Sequence, residues 1–367
     1  MTVKSSSTPS LSVGRMTETL ANAYLALIRS GTPFKEFPSV MLWGAPGVGK
    51  SQGVRAIAGI LEERTGKTVK VTDVRLLLFN PIDLRGIPTA NAEKTLAVWL
   101  KPKIFDMDGA DDVINILFLD EISAAPQSVQ AAAYQITLDR VVGEHRLPDN
   151  CIVIGAGNRV TDKSVAYKMP KALANRFMHI EIEADFDSWC RWAVSNGINH
   201  KVVAFLSFRR DYFLEPEMTD NLAYPTPRSW EMVSKVLNSV SSDISEVYPL
   251  IAGLVGSGIA AEFKSFDKIF SSLPSIEDIF SGKQVAVPKS QDVLYALISS
   301  MTDYASKHKD NMRLIENSMR FAMQMPPDFS AVLMRNYMYL EDNYKMKLMG
   351  IPIFVSWLSK AGRYINA

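Results

Sequence analysis

A glycine-rich segment of eight residues constrains the fold of this chain more than any other feature. Residues 44–51 have the sequence GAPGVGKS, which satisfies the pattern G-x-x-x-x-G-K-[ST] in full. The apolar run Val40–Trp43 precedes the segment, and a helical pattern begins at Lys50. Glycines let backbone N–H groups turn towards one centre, where a helix start adds its positive dipole end. The segment therefore predicts a phosphate-binding loop between a buried strand and a helix.

The side chains of this loop suit a nucleotide triphosphate with its metal ion. Lys50 is expected to reach the β- and γ-phosphates of ATP, and Ser51 is expected to bind Mg²⁺. The expected nucleotide-binding residues of the loop are Gly44, Ala45, Pro46, Gly47, Val48, Gly49, Lys50 and Ser51.

Strands alternate with helices over the first half of the chain. The predicted strands are residues 40–43, 69–73, 114–119, 151–156 and 179–182, and the predicted helices include residues 50–64 and 126–139. The unbroken apolar run at 114–119 is typical of a parallel sheet that is covered on both faces. These patterns predict an α/β fold with a doubly wound parallel sheet.

The pattern changes at residue 186, after which the apolar spacing is helical and no convincing strand follows. We expect a disordered Ser/Thr-rich tail at 1–14, the α/β nucleotide-binding core at 15–185, a helical lid at 186–272 and a helical C-terminal extension at 273–367. Residues 260–367 contain no motif, and their Met and aromatic side chains indicate a helical core.

Two acidic residues end the most apolar predicted strand. Asp120 suits a Mg²⁺ ligand, and Glu121 suits the polarisation of an attacking water molecule. A solvated acidic pair after a core strand is the alternative. The full phosphate-binding loop about 70 residues upstream favours the catalytic interpretation.

Three polar residues follow in chain order. Asn158 comes after a predicted strand, where its amide can hydrogen-bond the γ-phosphate and the attacking water; a turn asparagine is the alternative. Arg176 precedes the last predicted strand and is either a surface cation or an arginine finger that acts in a neighbouring subunit. Arg228 follows Pro227 at a predicted helix start, where an exposed arginine is the alternative to a phosphate contact.

These motifs, in this order, resemble those of AAA+ ATPases. The resemblance covers about residues 38–240 and implies that Asn158 is sensor 1, Arg176 is the arginine finger and Arg228 is sensor 2. It also implies a P-loop AAA+ core followed by an all-helical lid.

Two short segments narrow the resemblance to the MoxR family. Residues 80–86 (NPIDLRG), with a predicted hairpin that turns at 91–94, are similar to the helix-2 insert of that family. Residues 140–148 (RVVGEHRLP) resemble the hairpin before sensor 1. The sequences of the two hairpins are not diagnostic, so the client that they would meet stays open.

The resemblance also implies how such a chain works. A finger that acts in trans requires a neighbour, and a head-to-tail interface closes into a ring, here expected to be a hexamer. MoxR-like ATPases are chaperone-like remodellers of protein complexes, and they commonly work with a partner that carries a von Willebrand factor A domain. The implied cofactors are ATP and Mg²⁺.

Two other functions compete with this one. A nucleic-acid-dependent motor of the same clade would need basic hairpin tips, but residues 91–94 are nearly neutral, and Arg140, His145 and Arg146 form only a modest basic set. The net charge of +1 also gives no general attraction to nucleic acid. A nucleotide-gated scaffold that does not hydrolyse ATP has no need of Glu121.

The cysteine content indicates the expected cellular compartment. The chain has only two cysteines, Cys151 and Cys190, which is typical of proteins in a reducing compartment and predicts a cytoplasmic protein. No apolar run reaches about 18 residues, the length of a membrane span, and the first residues lack the apolar stretch of a secretory signal.

Overall fold

The computed structural model of the chain describes residues 8–159, 169, 171–215, 221–341 and 343–361. The chain forms two compact units, Met1–Asp185 and Phe186–Ala367. Among the described residues, all strands belong to the first unit, and the second unit is built of helices.

A parallel sheet of six strands forms the centre of the first unit. The ten strands in the described residues are β1 (Ser10–Ser12), β2 (Val40–Trp43), β3 (Thr68–Arg75), β4 (Ile87–Ala90), β5 (Ala97–Leu100), β6 (Val113–Asp120), β7 (Val141–Val142), β8 (His145–Arg146), β9 (Cys151–Gly157) and β10 (Met178–Glu183). The order in the sheet is β1-β10-β2-β9-β6-β3, and every neighbouring pair is parallel. The structure confirms the predicted parallel α/β fold.

Helices cover both faces of this sheet. The helices of this unit are α1 (Val13–Ser30), α2 (Lys50–Thr65), α3 (Pro81–Arg85), α4 (Gln127–Asp139) and α5 (Lys171–Ala174). Successive strand residues point to opposite faces. Leu42 accordingly packs in one apolar cluster with Val54 of α2, whereas Met41 packs in a second cluster with Val129 of α4. An unbroken apolar strand is stable here because water reaches neither face.

Two short hairpins leave the α/β core. β4 and β5 pair antiparallel, and the turn between them closes where the Asn91 N–H donates to the carbonyl oxygen of Leu96 at 2.9 Å. β7 and β8 form the second hairpin. Nε2 of His145 donates to the carbonyl oxygen of Trp99 at 2.8 Å, so the two hairpins are hydrogen-bonded to each other.

The first residues of the core differ from the expected tail. Strand β1 pairs with β10, with Leu11 opposite Ile182. Helix α1 begins at Val13, and Oγ of Ser12 accepts the Arg15 N–H at 3.3 Å. Such a short edge strand is held by backbone hydrogen bonds to a distant neighbour, and its Ser-rich sequence carries no local strand signal. Residues 1–7 of the expected tail lie outside the described residues.

The second unit contains eleven helices among its described residues. They are α6 (Phe186–Ser195), α7 (His200–Phe208), α8 (Pro227–Ser239), α9 (Ile244–Val255), α10 (Ser257–Asp267), α11 (Ile276–Ser281), α12 (Gln291–Lys307), α13 (Met312–Ala322), α14 (Pro327–Met338), α15 (Tyr344–Leu348) and α16 (Pro352–Ala361). None of the described helices has the length and apolar character to cross a bilayer.

The expected boundary between a lid and an extension, at residues 272–273, does not divide compact units. Helix α12, from the expected extension, packs along α7, from the expected lid. Oγ of Ser299 donates to the carbonyl oxygen of His200 at 2.6 Å across this contact. Sequence periodicity marked the helices but did not indicate which helices pack together.

Backbone conformation at Gly86 gives a stability prediction. Its φ of 92° and ψ of −177° lie in a region open only to glycine, and an added Cβ would lie 2.0 Å from the carbonyl oxygen of Leu100. We expect Gly86→Ala to lower the free energy of unfolding by about 2 kcal/mol or more, the range for such strain and overpacking. Urea denaturation measures this change.

The matched control is Gly59→Ala. Gly59 lies inside α2, and an added Cβ there meets no atom within 4 Å. This change should raise the free energy of unfolding by up to about 1 kcal/mol, because alanine is the better helix former. Equal stability of the two variants would contradict the assigned role of Gly86.

Candidate nucleotide-binding site

The glycine-rich loop joins the carboxyl end of β2 to the first turn of α2. Its bends require positive φ at Gly47 (80°) and Gly49 (102°), a conformation that glycine adopts at little cost. The N–H of Gly44 donates to the carbonyl oxygen of Gly157 at 3.3 Å, which ties the loop to the end of β9. The amino end of α2 therefore opens onto the carboxyl edge of the sheet, as anion binding requires.

The ammonium group of Lys50 lies at the centre of this loop. Nζ donates to the carbonyl oxygens of Gly44 at 2.5 Å and Ala45 at 3.1 Å, and to Oδ1 of Asn158 at 3.0 Å. Lys50 is 9% exposed. A lysine buried to this degree needs partners for its three donors, and those found here hold the positive charge beside Asn158.

Ser51 and Asp120 lie side by side at the same edge. Oγ of Ser51 donates to Oδ2 of Asp120 at 3.2 Å. A hydroxyl and a carboxylate are hard oxygen ligands, and Mg²⁺ in nucleotide sites takes one or two protein oxygens together with phosphates. The described residues contain no cluster of three or more His, Cys, Asp or Glu side chains that suits a metal. The pair thus fits a Mg²⁺ ion that is shared with a nucleotide.

Glu121 has an unusual backbone for a non-glycine residue. Its φ is 58°, in the left-handed region. Its N–H donates to Oδ1 of Asp120 at 2.9 Å, and its carbonyl oxygen accepts the N–H groups of Ala124 at 3.0 Å and Ala125 at 3.2 Å. Such strain persists only where the surroundings enforce it, and it concentrates at functional sites. The turn fixes the backbone of Glu121 directly after Asp120.

Asn158 is positioned by a residue that the sequence did not single out. Its N–H donates to Oγ of Ser123 at 2.9 Å, and Ser123 is buried. The N–H of Ile122 donates to the carbonyl oxygen of Ala156 at 2.9 Å, so the segment after Glu121 runs along the end of β9. A serine two residues after an acidic pair carries no motif, and only the fold reveals this role.

Arg176 lies at the opposite edge of the sheet. It precedes β10, whose first residue Met178 is opposite Val40 at the start of β2. The phosphate-binding loop follows the other end of β2, four residues away, which is about 13 Å at roughly 3.3 Å per residue. The Arg176 side chain is exposed. The structure therefore does not bring Arg176 to Lys50 of the same chain.

Arg228 belongs to the second compact unit. It is the second residue of α8, and its side chain is exposed. Oγ1 of Thr226 accepts the Ser229 N–H at 3.0 Å, which caps the helix as the Thr-Pro-Arg-Ser sequence suggests. A phosphate contact by Arg228 stays a prediction.

Comparison with known protein families supports the first unit as a nucleotide-binding domain. Residues 39–179 match the model of the ATPase family associated with various cellular activities, AAA. The match covers less than half of the chain. The matched segment contains Lys50, Asp120, Glu121, Asn158 and Arg176, and it ends before Arg228. No curated protein matches the chain in sequence.

Three solved structures are similar to the chain at low scores. PCH-2 of C. elegans aligns with a TM-score of 0.34, 14% identity and 70% of each chain covered. A mutant of RuvB from Thermotoga maritima aligns with a TM-score of 0.36, 20% identity, and 79% of this chain and 83% of that chain covered. NtrX from Brucella abortus aligns with a TM-score of 0.32, 13% identity, and 89% and 66% covered. These likenesses are too distant to indicate a substrate or partner of this chain.

The strained backbone of Glu121 gives a prediction that separates stability from activity. Glu121→Gly should raise the free energy of unfolding by about 1 kcal/mol, because glycine adopts a φ of 58° without strain. ATP turnover should fall, because the variant lacks the carboxylate. Urea denaturation and phosphate release measure the two effects.

Lys94→Gly is the matched control for stability, since Lys94 has a φ of 55° in the turn of the first hairpin. It should gain stability by a similar amount. An unchanged or lower stability of Glu121→Gly, beside a gain in Lys94→Gly, would show that Glu121 is not strained.

Proposed function

We propose that this chain is an ATP-hydrolysing AAA+ subunit of MoxR type that assembles into a hexameric ring and remodels protein complexes. The observation that carries the proposal is the hydrogen-bonded set at the carboxyl edge of the sheet. Lys50 contacts Asn158, and Ser51 contacts Asp120. These are the chemical groups that phosphoryl transfer to water requires.

Each residue of the set has a separate task. Lys50 and the N–H groups of the loop bind the phosphates, while Ser51 and Asp120 would hold a Mg²⁺ ion, which would neutralise phosphate charge. The Glu121 carboxylate accepts the proton of the attacking water. The side-chain amide of Asn158, whose backbone N–H is held by Ser123, orients that water against the γ-phosphate. A scaffold that only binds nucleotide needs no base, so the strained position of Glu121 favours hydrolysis.

The proposed role of Arg176 requires assembly into a ring. It is exposed at the amino edge of the sheet, away from the phosphate-binding loop of its own chain. A role in transition-state stabilisation therefore demands a second subunit. One edge of each subunit would meet the other edge of its neighbour, which is a head-to-tail contact that closes into a ring. The number six, like the sensor-2 role of Arg228, comes from the resemblance to the MoxR family.

The two hairpins favour a protein client over nucleic acid. Ile87, Leu96 and Leu100 of the first hairpin are each more than half exposed, which suits an apolar contact. The basic residues of the second hairpin are largely engaged: Nη1 of Arg140 donates to the carbonyl oxygen of Cys151 at 2.8 Å, and burial lowers the pKa of its guanidinium. His145 is bonded to the first hairpin. A partner with a von Willebrand factor A domain rests on the family resemblance.

Binding and hydrolysis should separate in two variants. Lys50→Ala should weaken ATP binding, because the loop loses its buried ammonium group. Glu121→Gln should still bind ATP, but its turnover should fall by about 10²-fold or more, the scale of general base catalysis. Equilibrium binding of a fluorescent ATP analogue and steady-state phosphate release measure these effects. Wild-type turnover in Glu121→Gln would refute its role.

Arg176 should act on the neighbouring subunit. Arg176→Ala should bind ATP almost normally and lose roughly 10³-fold or more in turnover. A Lys50→Ala subunit is inactive but keeps Arg176, so it should complete the site of an Arg176→Ala neighbour. Mixed assemblies should hydrolyse ATP faster than either variant alone. If native mass spectrometry shows co-assembly and phosphate release does not rise, Arg176 is an ordinary surface cation.

A further inference from the structure

A hydrogen-bonded chain of three residues links the nucleotide-binding strand to the segment that carries Arg176. Nε1 of Trp43 donates to Nδ1 of His179 at 2.8 Å, and Nε2 of His179 donates to the carbonyl oxygen of Ala174 at 2.6 Å. The Trp43 and His179 rings are also stacked, with centroids 6.0 Å apart. Trp43 is the last residue of β2, directly before the phosphate-binding loop.

The partners fix both the charge and the tautomer of His179. An indole N–H can only donate, so Nδ1 must be the acceptor. A carbonyl oxygen can only accept, so Nε2 must carry the proton. The ring is therefore neutral, and each nitrogen has a single role. Trp43 holds the imidazole so that its one N–H points at Ala174.

The Ala174 carbonyl is the anchor of the turn that presents Arg176. It also accepts the N–H of Phe177 at 3.3 Å, which closes a four-residue turn with Asn175 and Arg176 at its centre. The far side of the turn is fixed, because Phe177 is buried and the Met178 N–H donates to the carbonyl oxygen of Ser39 at 3.0 Å. On the near side, the side chain of His179 donates the hydrogen bond that the described residues provide to the turn.

We propose that His179 is a positioning residue for Arg176. It transmits the position of β2, through Trp43, to the turn that carries the arginine into the neighbouring active site. The inference rests on the proposed action of Arg176 in trans. In this proposal, a histidine that takes no part in the chemistry sets the position of an arginine that acts in another subunit. A shift of about 1 Å in such a group can cost about 10²-fold in rate.

Two amide substitutions test separately the hydrogen bonds made by the two ring nitrogens of His179. The longer side-chain amide that His179→Gln introduces reaches the place of Nε2 and can donate to Ala174, whereas the shorter amide in His179→Asn reaches only the place of Nδ1 and can serve only Trp43. We expect His179→Asn to lose about 10- to 10²-fold in kcat, with the Kd for ATP within about twofold of wild type. His179→Gln should recover most of the lost turnover.

Subunit mixing tests whether the defect acts in trans. His179→Asn is co-assembled with Lys50→Ala, which supplies an intact His179 and Arg176 but cannot use its own site. If His179 positions Arg176, phosphate release by the mixture should exceed that of either variant alone. If His179 instead serves the loop of its own chain through Trp43, the impaired sites stay impaired and mixing gives no gain, which would overturn the inference.

Parallel mixtures of Arg176→Ala with Lys50→Ala distinguish failure of the positioning role from failure of the proposed function. A gain in the Arg176 mixture without one in the His179 mixture rejects only the positioning role. No gain in either mixture rejects the trans arginine itself. Equal kcat for His179→Asn and wild type, with thermal unfolding confirming that the variant is folded, also rejects the positioning role.

Discussion

The parallel register of β2, β9 and β6 is the constraint on which the rest of the structure depends. Trp43 is opposite Gly157, and Leu119 is opposite Gly155, so the three strands end at one level. Asp120 ends β6, and Lys50 and Asn158 lie just after the ends of β2 and β9, so three side chains far apart in sequence come to one edge. Their proximity follows from strand pairing, and the Lys50–Asn158 hydrogen bond then refines a geometry that the sheet has already set.

Burial of Lys50 and strain at Glu121 are two costs that this geometry imposes. Lys50 is 9% exposed, and its ammonium is stabilised by loop carbonyl oxygens and Asn158. The backbone of Glu121 stays in the left-handed region because Asp120 accepts its N–H while Ala124 and Ala125 donate to its carbonyl oxygen. Both costs fall on groups to which the proposed function assigns a fixed position.

The sequence alone predicted those features that are determined by residues close together in the chain. The central strands could be predicted because their apolar runs are local, and the loop because GAPGVGKS is a contiguous motif. Strand β1, the Ser123 contact and the Trp43–His179 bond were missed, because each is decided by a distant partner; Trp43 and His179 lie 136 positions apart. The lid and extension were separated for the same reason, since helical periodicity does not encode which helices pack together.

The pairing of β10 with β2 connects the two edges of the sheet. β10 pairs with β2 from Met178 to Glu181, so neither strand can slide without breaking the register. The carboxyl end of β2 leads into the phosphate-binding loop, and the amino end of β10 follows the turn with Arg176. In a head-to-tail ring, one sheet would then connect the nucleotide site of its own subunit to the nucleotide site of the neighbour, to which its Arg176 would contribute. Because a paired strand transmits displacement rather than absorbing it, the position of the loop in one subunit would set the position of the arginine offered to the next.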